Sequence, residues 1–149
     1  MNTSPLFGKN ILLGITGSIA AYKTPELTRQ LVKLGANVKI IVTKDACNFV
    51  TPLTLSTVSK NPVLSSLISD DNTWNNHVDL AGWADVFLIA PATANVIAKM
   101  ACGICDSILL ASFLSSSCKV FCAPAMDRDM YLNSVTKENI NTLIERGVN

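Results

Sequence analysis

The sequence predicts an α/β domain in which a doubly wound parallel sheet is covered by helices on both faces. Short apolar runs of β type alternate with helical patterns along the chain, which is typical of βαβ units. Small or polar residues follow each run, and ligands of such sheets bind outside the carboxyl ends of the strands. Because 149 residues suffice for one core, we expect a single three-layer domain with one crevice.

Four strands and the intervening helices can be placed in order. The predicted strands are 10–16, 38–42, 86–90 and 120–123. Proline stops the last two of them, at Pro91 and Pro124. The polar segment 65–76 is predicted to be a loop. The predicted helices are 24–35, preceded by a turn over 18–22, then 45–49, 52–59, 93–100, 106–113 and 133–145.

Composition narrows the classes of function. Net charge is +1 without a basic run, which argues against nucleic acid as a partner. Only 15% of residues are charged, so we expect other subunits to cover part of the surface. Five cysteines cannot all pair within one chain, and no convincing signal peptide is present, which favours the cytoplasm. No apolar run has the length of a membrane span.

A glycine-containing turn after the first strand indicates a phosphate site. Gly14 and Gly17 precede a helical pattern, and a helix start offers free N–H donors with about half a positive charge. The third glycine of the dinucleotide fingerprint is absent. A tight turn without a ligand therefore stays an alternative. The segments after all four strands (16–18, 43–44, 91–95 and 123–127) are small or polar, which favours the ligand.

Cys102 and Cys105 have the spacing of a redox or zinc pair. No second pair accompanies them, and the chain has one histidine. We therefore expect these thiols to pack in the interior or at an interface, and we expect no metal site.

Six short segments along the chain form one ordered set: GSIAAYKTPE (17–26), TPLTL (51–55), HVDL (77–80), WAD (83–85), APATAN (90–95) and PAMDRDMY (124–131). In family order, these segments resemble the flavin-dependent cysteine decarboxylases, most closely the phosphopantothenoylcysteine decarboxylase branch of bacterial coenzyme A biosynthesis. The resemblance implies a Rossmann-like flavoprotein fold, FMN as cofactor, and a homotrimer or a higher assembly of trimers.

The resemblance also implies roles for individual residues. His77 would be the catalytic proton carrier, and Asp79 could orient its ring if this stretch turns. Asp127 and Met130 would contact substrate, although a core position is an alternative for Met130. The implied FMN contacts are Gly17, Ser18, Ile19, Thr43, Thr93, Ala94, Asn95 and Ala125. For Thr93 and Asn95, helix capping is the alternative role.

Asp127 stands where the family motif has asparagine. An ionised aspartate repels a substrate carboxylate by about 4 kcal/mol at 4 Å and an effective dielectric constant of 20. Protonation of Asp127, screening by Arg128 or a different substrate pose would each relieve this conflict.

The implied reaction is FMN-dependent decarboxylation of 4′-phosphopantothenoylcysteine to 4′-phosphopantetheine. A peptidyl-cysteine decarboxylase and a non-catalytic FMN-binding regulatory subunit are the alternatives. The family places a clamp with a reactive cysteine beyond the last helix. Because the sequence stops at Asn149, before that position, residues 1–149 are expected either to be the N-terminal decarboxylase domain of a longer protein or to lack the clamp. In both cases we expect the chain to bind FMN but to turn over slowly.

Overall fold

The computed structural model describes residues 4–149. One sheet holds five parallel strands in the order β3-β2-β1-β4-β5. The strands are β1 (Asn10–Ile15), β2 (Asn37–Val42), β3 (Val63–Leu64), β4 (Val86–Ala92) and β5 (Lys119–Pro124). The α-helices are α1 (Thr24–Lys33), α2 (Pro52–Ser59), α3 (His77–Trp83), α4 (Ala94–Cys102), α5 (Ile108–Leu114), α6 (Arg128–Leu132) and α7 (Ser134–Glu145).

Each face of the sheet has its own apolar core, because neighbouring strand residues point to opposite faces. Leu12 and Phe87 face the core that α4, α5 and α7 cover. Leu13 and Ile40 face the core that α1 and α2 cover. The three-layer, doubly wound architecture predicted from the sequence is confirmed. Within residues 4–149, the structure contains no helix with the length and apolar character needed to cross a membrane.

Three elements were not expected from the sequence. Strand β3 has only two residues, which is too short for a recognisable pattern. Helix α3 buries only Leu80 and Ala81 among its seven residues, so it lacks a clear apolar period. Helix α6 has five residues, none of them buried. None of the three therefore has a local pattern from which it could be predicted.

Strand β4 continues through Pro91, where the sequence suggested an end. The register between β4 and β5 is irregular between Ile89 and Ala92. A proline, which has no N–H, is tolerated where the ladder is interrupted. The extension carries the chain to Thr93 at the carboxyl edge of the sheet, so it helps to position the candidate site.

Gly14 lies inside β1 rather than in the phosphate-binding turn that the sequence indicated. A Cβ atom at this position would come within 3.0 Å of Leu109 and 3.1 Å of Phe87. The glycine therefore allows α5 to pack closely on the sheet. This contact is a reason for Gly14 that involves no ligand.

Candidate active site

A cleft of about 510 Å³ opens at the carboxyl edge of the sheet, where the sequence predicted a crevice. The ends of β1, β2 and β4 form its floor, and the segment after β3 forms a wall. Its size is that of typical small-molecule sites. The lining residues are Gly17, Thr43, Lys44, Asp45, Ser65, Ser66, Leu67, Ile68, Thr93, Asn95, Val96, Lys99, Asp106, Ser107, Ile108 and Leu110.

Thr16 joins the ends of β1 and β4 beneath this cleft. Its fully buried side chain donates a hydrogen bond to the Pro91 carbonyl at 2.5 Å. The same hydroxyl oxygen accepts a hydrogen bond from the Thr93 N–H at 3.0 Å. One side chain thereby sets the position of two cleft segments relative to each other. The sequence indicated only that Thr16 follows a strand.

Gly17 allows two cleft loops to touch. A Cβ atom at Gly17 would lie only 2.4 Å from the Cβ atom of Asp45. Contacts this short do not occur between non-bonded carbon atoms, so a larger residue would push the loops after β1 and β2 apart. This is a direct structural requirement for glycine at a predicted cofactor contact.

Replacing Gly17 by alanine is expected to lower the free energy of unfolding by about 1–3 kcal/mol, as overpacking usually does. Urea unfolding followed by circular dichroism measures the change. Gly82→Ala is the matched control, because no atom lies within 4 Å of the added Cβ and the position is helical. The free energy of unfolding of this control should rise by about 0.5–1 kcal/mol, because alanine is favoured over glycine within a helix. Equal stabilities of the two variants would contradict the contact.

Helix α4 begins at the cleft and presents unused N–H groups to it. The hydroxyl of Thr93 accepts a hydrogen bond from the Val96 N–H at 3.2 Å. The first N–H groups of an α-helix have no partner within the helix. Those of Ala94 and Asn95 therefore face a ligand or solvent. Thr93 does act as an N-cap, and this role is compatible with a ligand beside it.

The cleft also holds charged side chains that the sequence interpretation missed. Lys99 forms a salt bridge of 2.5 Å with Asp106 across the start of α5. Lys44 also lines the cleft and, among residues 4–149, has no salt-bridge partner. A basic side chain is thus available to an anionic ligand. The position of Lys44 directly after β2 was the signal in the sequence.

The predicted cofactor contacts divide into two groups. Gly17, Thr43, Thr93 and Asn95 line the cleft. The other four are not among its lining residues: Ser18, Ile19, Ala94 and Ala125. Ser18 caps the 3₁₀ turn Ile19–Lys23, and the side chain of Ile19 is 70% exposed. The contact of all eight residues with one cofactor stays a prediction.

His77 begins α3 and does not line the cleft. Because α3 leads back to the start of β4, His77 is at the end of this helix that is nearer to the carboxyl edge of the sheet. The Nδ1 atom of His77 is buried and has no hydrogen-bond partner within residues 4–149. Asp79 accepts a hydrogen bond from the Asn76 amide at 2.7 Å. The idea that Asp79 orients the ring is therefore not supported by the contacts of this chain.

The two predicted substrate contacts are exposed near α6. Asp127 precedes this helix and makes no side-chain capping bond. Met130 is 49% exposed, so the alternative of a core position does not hold in the chain by itself. The Ala125 N–H donates to the Ala92 carbonyl at 3.0 Å. This bond ties the segment before α6 to the end of β4.

The cysteines show no metal centre. No group of three or more metal-binding side chains lies together among residues 4–149. Cys102 and Cys105 are exposed in the chain rather than packed in its interior. Burial raises the pKa of Cys122 to about 11. That thiol stays protonated near neutral pH and packs against the core.

Comparisons with known proteins agree with this geometry. The chain is 50% identical over 143 residues to the coenzyme A biosynthesis bifunctional protein CoaBC of Vibrio cholerae, matching 95% of this chain and 36% of the relative. It is 46% identical over 142 residues to a Streptococcus mutans protein named probable phosphopantothenoylcysteine decarboxylase, matching 93% of this chain and 79% of that protein.

A solved structure shares the fold. The crystal structure of the FMN-dependent cysteine decarboxylase SpaF matches with a TM-score of 0.88 and 30% identity, covering 96% of this chain and 83% of SpaF. The chain thus spans about a third of the length of the bifunctional relative but most of SpaF.

The Flavoprotein family model matches residues 2–149, which is nearly the whole chain. The sheet order, the cleft at the strand ends and the sequence relatives all agree with that match. This chain belongs to the flavoprotein family.

Proposed function

We propose that residues 1–149 form an FMN-binding domain that decarboxylates 4′-phosphopantothenoylcysteine to 4′-phosphopantetheine. The observation that carries this proposal is the cleft at the ends of β1, β2 and β4, in a chain whose relatives are named for this decarboxylation and for coenzyme A biosynthesis. The cleft volume of about 510 Å³ suits a mononucleotide cofactor.

The residues of the cleft fit FMN. The close approach of Gly17 to Asp45, which a Cβ atom would prevent, holds the loops after β1 and β2 together at the edge of the cleft. Lys44 and the free N–H groups at the start of α4 supply the positive charge and donors that a phosphate requires. Thr43 and Asn95 add hydroxyl and amide groups for a polar ring edge or a ribityl chain. When bound, FMN supplies the two-electron chemistry that allows the cysteine carboxylate to leave.

The protein's own groups would orient the substrate and carry protons. We assign proton transfer to His77, since an imidazole changes charge near neutral pH without a metal. We assign substrate contact to Asp127 and Met130, which are exposed at α6. A solvent-facing aspartate is screened by water, so its repulsion of a carboxylate falls well below the value for a protein interior.

We further propose that copies of the chain associate as a homotrimer around the site. Several large apolar side chains near the carboxyl edge are exposed, including Ile19 at 70% and Tyr22 at 61%. Ile19 and Tyr22 are three residues apart in one 3₁₀ turn, a spacing that places them on the same side of it. Exposed apolar side chains that lie together commonly mark an interface. A neighbouring copy would cover Ile19 and bring further groups to a site that one chain leaves open.

Titration with FMN and with riboflavin tests the cofactor assignment. We expect FMN to bind about 10- to 100-fold more tightly, because charge-assisted hydrogen bonds to phosphate contribute about 1.5–3 kcal/mol. Quenching of flavin fluorescence gives both affinities. Equal affinities would show that the phosphate is not recognised.

Release of carbon dioxide from 4′-phosphopantothenoylcysteine then tests the reaction. A peptide ending in cysteine is the comparison substrate, and preferential turnover of that peptide would favour a peptidyl-cysteine decarboxylase. Tight FMN binding without turnover of either compound, both by residues 1–149 and by a longer chain that includes the clamp, would favour a regulatory flavin-binding subunit.

A further inference from the structure

We propose that Trp74 is a positioning residue that fixes the imidazole ring of His77; this inference rests on the proposed function, in which His77 transfers protons. The two rings meet edge to face, with centroids 5.9 Å apart and planes at 72°. That arrangement is one of the two preferred by aromatic pairs. The Trp74 side chain is 56% exposed, so burial alone does not account for a tryptophan here.

The polar contacts of His77 leave its ring orientation open. Histidines with a defined role usually form a hydrogen bond through one ring nitrogen, which sets the tautomer and the rotation. The Nδ1 atom of His77 is buried without such a partner among residues 4–149. Asp79, two residues after His77, accepts a hydrogen bond from the Asn76 amide instead. The indole ring of Trp74 is therefore the contact that restrains rotation of the imidazole.

Trp74 is itself held by a hydrogen-bonded loop. A β-bridge pairs Trp74 with Ile68. The side-chain amide of the next residue, Asn75, donates to the Ser66 carbonyl at 2.8 Å and to the Ser69 hydroxyl at 2.9 Å. Ser66 and Ile68 also line the cleft. The wall of the cleft and the support of His77 are therefore parts of one loop.

Nuclear magnetic resonance tests the ring contact without any turnover. His77 is the only histidine of the chain, so its imidazole C–H signals need no assignment among others. Trp74→Leu removes the ring current of the indole and should move these signals toward their unfolded positions. Trp74→Phe should retain part of the displacement. Phe7→Leu is the control, because Phe7 is 61% exposed and precedes β1 at the opposite edge of the sheet.

Kinetics of the FMN-loaded protein test the consequence. We expect Trp74→Leu to lower kcat about tenfold with KM unchanged, because a misplaced catalytic group slows the chemical step. Trp74→Phe should recover most of the loss. Thermal unfolding should show that both variants fold, as expected for an exposed position.

Two results would overturn the inference. Imidazole signals that do not move in Trp74→Leu would exclude the contact. A raised KM with kcat intact would show that Trp74 contacts substrate instead of acting through His77.

Full turnover by His77→Asn would remove His77 from the reaction and with it any catalytic effect of Trp74. The spectra of the Trp74 variants would still report on the ring contact, so the two failures are distinguishable.

Discussion

The His77→Asn variant should bind FMN as tightly as the parent chain and lose about 100- to 10,000-fold in kcat. Positioned general acids and bases contribute rate factors of this size. Asparagine has a similar shape but cannot carry a proton at neutral pH. FMN affinity should persist because His77 does not line the cleft. Single-turnover release of carbon dioxide measures the loss, and flavin fluorescence measures the binding.

Asp79→Asn is the matched control for His77→Asn. The Asp79 carboxylate accepts a hydrogen bond from the Asn76 amide and forms none with the His77 imidazole. Turnover should therefore be preserved. The replacement lies on the same short helix and would reveal a general disturbance of α3. Parent-like turnover in His77→Asn would show that another group moves the proton.

Replacing Thr16 by valine should destabilise the protein and weaken FMN binding together. The change removes the hydroxyl that bonds to the Pro91 carbonyl and to the Thr93 N–H. An unpaired buried donor costs about 1–3 kcal/mol. Because Thr93 also begins α4 at the cleft, we expect FMN affinity to fall about tenfold, equivalent to about 1.4 kcal/mol.

Thr16→Ser distinguishes the contribution of the Thr16 hydroxyl from that of its methyl group. Serine retains both hydrogen bonds and loses one buried methyl, so we expect FMN affinity close to that of the parent. Urea unfolding and flavin titration give the two quantities for each variant. Similar FMN affinities in Thr16→Ser and Thr16→Val would show that the hydroxyl does not align the strand ends.

Much of the fold could be predicted because its signals are local. Runs such as 86–90 are apolar throughout, which is the pattern of parallel strands buried on both faces. Pro25 marks the start of α1, because its fixed backbone angle suits the first turn of a helix. Strand β3 was not predicted because it has only two residues, and helix α3 was not predicted because it buries only Leu80 and Ala81 and so shows no clear apolar period.

The candidate site was only partly predictable, since its geometry joins distant parts of the chain. Gly17 and Thr93 could be expected at strand ends, and both line the cleft. Sequence patterns did not reveal that Ser66 and Ile68 form a wall, because the segment 65–76 has no periodicity. Nor did they show that Gly14 lies inside β1 and is packed beneath Leu109.

The order of apolar and polar residues alone determined the alternation of strands and helices, and therefore which edge of the sheet carries the site. Parallel strands joined by helices bring all their carboxyl ends to one edge, whatever the details of packing. Tertiary structure decided what happens at that edge. The hydrogen bond between Thr16 and Thr93 joins residues that are 77 positions apart in the sequence. The Trp74–His77 contact depends on how a loop folds on itself. Such pairings depend on the three-dimensional arrangement of elements whose local patterns do not refer to one another.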